Sequence, residues 1–234
     1  MKKFYQSVAV EAREGGHAVL LDGKPIRTPA GKPLLAPTAA LAEGIAAEWR
    51  GQGDRVRPGS MPLTQLLNTA LDRMAEGKVR AAAVAEVAGY AATDLVCFRA
   101  PHPPALAERQ RTTWQPLVEW VAERYGAALA VTERLAAPSQ SPDTLARIAA
   151  AIAAQDSLRL AVLHHATAAL GSVVIALALA EGRIDAEAAF AAAHLDELHQ
   201  MAEWGEDAEA VARLERIRAD VAAAAAFLRL AAAA

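Results

Sequence analysis

Apolar and polar residues change their rhythm once along this chain. Through about the first sixty residues the runs are short and mixed, whereas from Leu63 onward apolar positions return every three or four residues. Near the start, Phe4 to Val10 reads as a strand and Glu14-Gly15-Gly16 as a turn. His17 to Leu21 and Lys24 to Arg27 then read as the two arms of a hairpin. The pair Asp22-Gly23 accepts positive φ at both central positions, as a two-residue type I′ turn requires. Pro25 has no amide donor, so the returning arm is expected at a sheet edge or to leave the sheet quickly. A further short strand is predicted within Pro33 to Ala36. Thr38 is placed to cap a helix in which Leu41, Ile45 and Trp49 form one apolar stripe, ended by Gly51 and Gly53.

The prolines and glycine of Arg55 to Pro62 oppose continuous helix, so this stretch is expected to link two domains. Beyond it, Leu63, Leu66, Leu67, Ala70, Leu71 and Met74 make a helical stripe, and Lys78 to Tyr90 predicts a second helix. Leu106, Gln110, Trp114, Leu117 and Trp120 share a face of the next, which Pro116 is expected to kink or restart. Ala128 to Thr132 reads as a short extended piece. Ser141-Pro142 opens a helix with Leu145, Ile148 and Ile152 on its apolar side, and others are expected from about Asp185 and from about Asp207. The expected fold is therefore α+β: a small mixed α/β amino-terminal domain with a β-hairpin over residues 1–60, and a helical domain over residues 61–234.

Ala161 to Ala180 contains no Asp, Glu, Lys or Arg and reaches the length of a membrane span. Its alanine content and its His164, His165, Thr167 and Ser172 suit hydrocarbon poorly, so one continuous helix buried on all sides is expected, without stable membrane insertion. The net charge of −3 is spread over interspersed acids and bases, which disfavours a nucleic-acid partner. The single cysteine, Cys97, excludes an internal disulfide and disfavours a cysteine zinc site. Met1-Lys2-Lys3 runs directly into Phe4-Tyr5-Gln6-Ser7-Val8, with neither an apolar signal core nor an arginine-rich presequence. The expected location is the bacterial cytoplasm, or the mitochondrial matrix for a processed organellar protein.

The residues offer little catalytic chemistry. Adjacent His164 and His165 diverge by about 100° on a helix and are poorly placed to share a metal. His194 and Glu197 stand three apart, and His199 lies close by, but the paired Glu-x-x-His arrangement of a di-metal bundle is missing. Cys97 sits among Leu95, Val96 and Phe98, where a thiol usually packs inertly. No phosphate-binding loop, Gly-x-Ser-x-Gly elbow or dinucleotide fingerprint occurs. On these residues the chain reads as a soluble two-domain protein without a credible active site, and no enzyme activity, metal or cofactor is expected.

Several segments, taken in order, resemble one family: the assembly chaperone that attends the alpha subunit of the ATP synthase catalytic head. They are Phe4-Tyr5, Leu21-Asp22-Gly23-Lys24-Pro25-Ile26-Arg27-Thr28-Pro29, Leu41-Ala42, Glu48-Trp49 with Gln52, and Met61-Pro62-Leu63-Thr64. Further on come Thr93-Asp94-Leu95 with Arg99, Gln110 with Trp114 and Trp120, Gly171-Ser172, Asp196-Glu197 with Gln200, and Trp204-Gly205. The resemblance runs nearly end to end.

That resemblance implies a protein that binds newly made, unassembled alpha subunit, prevents its aggregation and yields it to beta subunit. It also implies a client-binding role for an acidic residue at the position of Glu197, whose other reading is a helix-stabilising acid. Trp204-Gly205 is expected to pack and to terminate its helix. His199 departs from the pattern, standing where the family carries an aromatic. Two rival readings are a membrane-associated assembly protein using Ala161 to Ala180, and a metal-dependent enzyme using Glu197 with His194 or His199.

Overall fold

The computed structural model describes residues 1–233. They form two compact units, neither contiguous in sequence: Met1–Arg80 with Asp156–Val162 and Ala223–Ala234, and Ala81–Gln155 with Leu163–Ala222. The architecture is mixed α+β, as expected, with every strand in the first unit.

The first unit is built on a small antiparallel sheet. Strand β1, Val8–Arg13, pairs with β2, Gly16–Leu21, from Val8 opposite Leu21 to Arg13 opposite Gly16. Strand β2 also pairs with β3, Lys24–Pro25, and with β4, Leu35–Ala36. Its central place explains why Ala18, Val19, Leu20 and Leu21 are all buried in an unbroken apolar run. Asp22 and Gly23 take φ of 49° and 77°, the positive values expected of the hairpin turn, and the arm carrying Pro25 pairs over two residues only. The first strand starts later than expected. Its predicted opening at Phe4 is replaced because the amides of Gln6 and Ser7 donate to the Asp22 carboxylate at 3.0 and 2.8 Å.

Helix α1, Ala39–Arg50, lies on this sheet with Leu41, Ala42, Ile45 and Ala46 inward. Thr38 caps it, its Oγ1 accepting from the Leu41 amide at 3.1 Å. The same core takes in Leu66 and Leu67 of α2, Pro62–Arg73, with Val162 of α6, Ser157–Leu170, and Ala224 and Phe227 of α10, Ala208–Ala232. Residues expected to form a linker are packed rather than free, since Val56 and Met61 join Tyr5 and Leu21 in a second cluster.

The second unit is helical. It holds most of α3, Gly77–Gly89, and all of α4, Pro104–Tyr125, and α5, Pro142–Ala153. It also holds α7, Val173–Ala180, α8, Ala186–Ala193, and α9, Leu195–Trp204, with parts of α6 and α10. Pro116 neither ends nor restarts α4. It is exposed and removes one ladder bond, but the same helix buries Trp114, Leu117, Val118 and Val121, and that packing outweighs the loss.

The expected single helix over Ala161 to Ala180 is instead two. Gly171, at φ 65°, closes α6, and Ser172 starts α7 by accepting from the Ile175 amide at 3.0 Å. All eight residues of α7 are buried. Among the described residues no helix is long and apolar enough to cross a membrane.

Candidate functional site

Many of the side chains that carry the family resemblance are occupied in holding the fold. Glu48 reaches from α1 to the start of α2, where Met61 offers no side-chain cap. Its carboxylate accepts from the amides of Leu63 and Thr64 at 2.7 and 2.9 Å and from the Thr64 hydroxyl at 2.7 Å. Burial pushes the Glu48 carboxyl upward, and these three donors oppose the shift. Gln52 ties the following loop, accepting from the Arg57 amide at 2.7 Å and donating to the Ser60 hydroxyl at 3.2 Å. The Tyr5 hydroxyl donates to the Trp49 carbonyl at 2.6 Å.

Asp94 and Ser172 do the same in the second unit. Fully buried Asp94 accepts from the Ser172 hydroxyl at 2.6 Å, the Val174 amide at 3.1 Å and the Val96 amide at 3.2 Å. The carboxylate therefore sits at the amino-terminal end of α7, where amides and helix dipole favour negative charge. Burial nonetheless raises its pKa to about 6. Neighbouring Cys97 is buried as well, and burial with the Asp94 charge raises its thiol to about 12, leaving it protonated and unreactive.

The outward-facing part of the pattern is α9. Asp196 and Glu197 occupy its first turn, favourably placed on the dipole. Asp196 accepts from buried Gln110 Nε2 at 2.7 Å, and Gln110 Oε1 accepts from the Ala100 amide at 2.7 Å. This joins α9 to α4. Trp114 adds a bond from its indole to the Ala192 carbonyl at 2.8 Å, with the Arg99 guanidinium 5.2 Å over its ring.

Glu197 is half-buried, with 30% of its side chain exposed. Its Oε1 accepts from Arg213 of α10, and its Oε2 lies 3.7 Å from His194 Nδ1. Glu197 raises the Arg213 pKa in return. Burial pushes His194 below its usual range, the Glu197 charge opposes that, and the Arg213 charge reinforces it. The sequence-predicted binding residue thus already has an internal cation, a partner 16 residues away that no local pattern announced.

Of the rival ligands, His194 lies near Glu197, while His199 is only 8% exposed. Among the described residues no group of three or more His, Cys, Asp or Glu is arranged to hold a metal ion. His164 lies 3.2 Å from Glu86, and His165 Nε2 is buried without a hydrogen-bond partner among the described residues. Gly205, at φ 95°, ends α9 as expected. Trp204 does not pack as expected, for the residue is 82% exposed.

Comparison with known proteins gives the same family as the sequence pattern. Residues 2–122 match the family model described as ATP12 chaperone protein. The chain is 26% identical over 222 residues to the mitochondrial protein atp12 of Schizosaccharomyces pombe, covering 90% of this chain and 76% of that protein. The crystal structure of Atp12 from Paracoccus denitrificans matches with a TM-score of 0.88 at 37% identity, covering 98% of each chain. An aspartate-to-lysine mutant of P. denitrificans Atp12p matches with a TM-score of 0.89 at 36% identity, covering 98% of this chain and 97% of that one. Fold, motif order and these relatives agree, and the chain belongs to the ATP12 chaperone protein family.

Proposed function

We propose that this protein binds the unassembled alpha subunit of the ATP synthase catalytic head and holds it from aggregation until beta subunit takes its place. The observation that carries the reading is the family match together with the condition of α9. That helix is fixed from behind by the Asp196–Gln110 bond, while Gln200 and Trp204 face solvent. A subunit of an obligate oligomer exposes a large apolar interface before assembly, and an occupant of that interface lowers the population free to self-associate. Exchange for beta subunit needs no nucleotide hydrolysis, because the greater stability of the finished complex drives it by mass action. The protein acts by binding and catalyses no reaction. Its client is the alpha subunit of a bacterial synthase in the cytoplasm, or the corresponding matrix subunit for an organellar form.

Within this reading Glu197 is the residue that exchanges partners. Its carboxylate, now held by Arg213, is accessible enough to accept from a basic or amide group on the client. Size-exclusion chromatography of cognate alpha subunit with this chain, before and after beta subunit is added, tests the proposal. A complex that forms and then gives way to alpha with beta supports it. Alpha subunit that elutes alone or as aggregate in the presence of folded chain overturns it.

A further inference from the structure

We propose that Trp204 is the apolar anchor of the client interface, and that its docking place on the alpha subunit is an apolar notch rimmed by basic side chains. This rests on the function proposed above and adds the chemistry of the surface that is recognised. Glu197, Gln200, Met201 and Trp204 stand at i, i+3, i+4 and i+7, which puts them in one stripe along α9. Gln200 is exposed, Met201 half-buried and Trp204 82% exposed, so the stripe becomes more apolar and more open toward the end of the helix. Gly205 stops the helix directly after the indole. Tryptophan is the residue most enriched among those that dominate binding energy, because it offers a large rigid apolar area and a donor at its edge.

Charge selects the partner. Between Leu195 and Ala212 the chain carries Asp196, Glu197, Glu203, Glu206, Asp207 and Glu209 and no Lys or Arg. Glu203, Glu206, Asp207 and Glu209 are exposed and flank the indole in sequence, and Asp207 caps α10 through the Ala210 amide at 2.9 Å. The nearest following cation in sequence, Arg213, is taken by Glu197. Four exposed carboxylates flanking an open indole in sequence repel an acidic surface and favour one bearing Lys or Arg beside its apolar pocket.

The test uses the full-length chain and cognate alpha subunit diluted from denaturant, with affinity read by titration at low and moderate salt. Trp204→Ala is expected to weaken the complex about ten-fold or more, Trp204→Phe only a few-fold, and neither to move the thermal midpoint, because the indole contacts little in the free protein. Glu206→Lys, in the exposed turn, is expected to weaken binding and to flatten its salt dependence. Full affinity in both Trp204→Ala and Glu206→Lys, with Glu197→Lys still defective, overturns the anchor while leaving the chaperone function standing. Absence of binding by the unmodified chain overturns that function and the anchor with it. Concentration-dependent self-association lost in Trp204→Ala, with alpha binding intact, assigns the indole to a second copy of this chain and also overturns the proposal.

Discussion

The proposed function gives Glu197 a second job beside its ion pair, and a single charge reversal separates the two. As an acid it holds an ion pair whose cation, Arg213, is open to solvent, so the pair contributes little to stability. In the proposed function it also contacts the client. Glu197→Lys is therefore expected to abolish the complex with alpha subunit while lowering the thermal midpoint by no more than about 4 °C, since about 1 kcal/mol moves a chain of this size by about 2–4 °C. Parallel calorimetry and complex formation check this, and equal loss of stability and binding would assign Glu197 to the fold alone. Asp94 makes a different prediction. Its folded pKa of about 6 lies above the ordinary 3.8, so between these values the folded state binds more proton than the unfolded one. Its contribution to stability must then fall as pH rises from about 4 to about 6 and level off above. Denaturant unfolding of the native protein and Asp94→Asn across that range checks the sign: the difference in stability should be larger at the acid end.

Among the elements, the hairpin was legible because its cause is local. Asp22-Gly23 fixes the turn within two residues, and Thr38, Asp185 and Asp207 mark helix starts in the same short-range way. Features made by distant residues were not legible. The break at Gly171-Ser172 is hidden in an uncharged apolar stretch, and its buried acid, Asp94, stands 78 residues earlier. The exposure of Trp204 is set by the end of α9 and not by its sequence neighbours, which carry no sign of it. Arg213 is one of several arginines on α10, so its pairing with Glu197 needed the turn between α9 and α10. Two substitutions test the element-level account. Glu48→Ala leaves the Leu63 and Thr64 amides of α2 without their acceptor and is expected to cost about 1–3 kcal/mol, seen as a lower denaturant midpoint. Gly16→Ala would place a Cβ 2.5 Å from the Ala36 carbonyl oxygen at a backbone φ of 149°. It should separate β4 from β2 and cost a comparable amount, about 1–3 kcal/mol, with hydrogen exchange rising first at Leu35 and Ala36.

Over the whole molecule, the mixed composition of the first sixty residues announced a sheet-bearing part but not the residues that complete its core. Leu66, Leu67, Val162, Ala224 and Phe227 come from later in the chain, two of them from its last helix. A chain truncated before Ala223 is therefore expected to lose the cooperative unfolding of the sheet-bearing unit, which circular dichroism and denaturant titration would register. The division of labour within the family pattern follows the same physics. Glu48, Gln52, Asp94, Ser172, Gln110 and Trp114 spend their polar groups on one another and on backbone, whereas Gln200 and Trp204 on α9 face solvent and Glu197 is partly accessible to it. The most direct measurement is light scattering of cognate ATP synthase alpha subunit diluted from denaturant, with and without an equimolar amount of this chain. Scattering held near baseline in its presence, and restored when Glu197→Lys replaces it, is the predicted result; unchanged aggregation in the presence of the folded native chain would contradict the account.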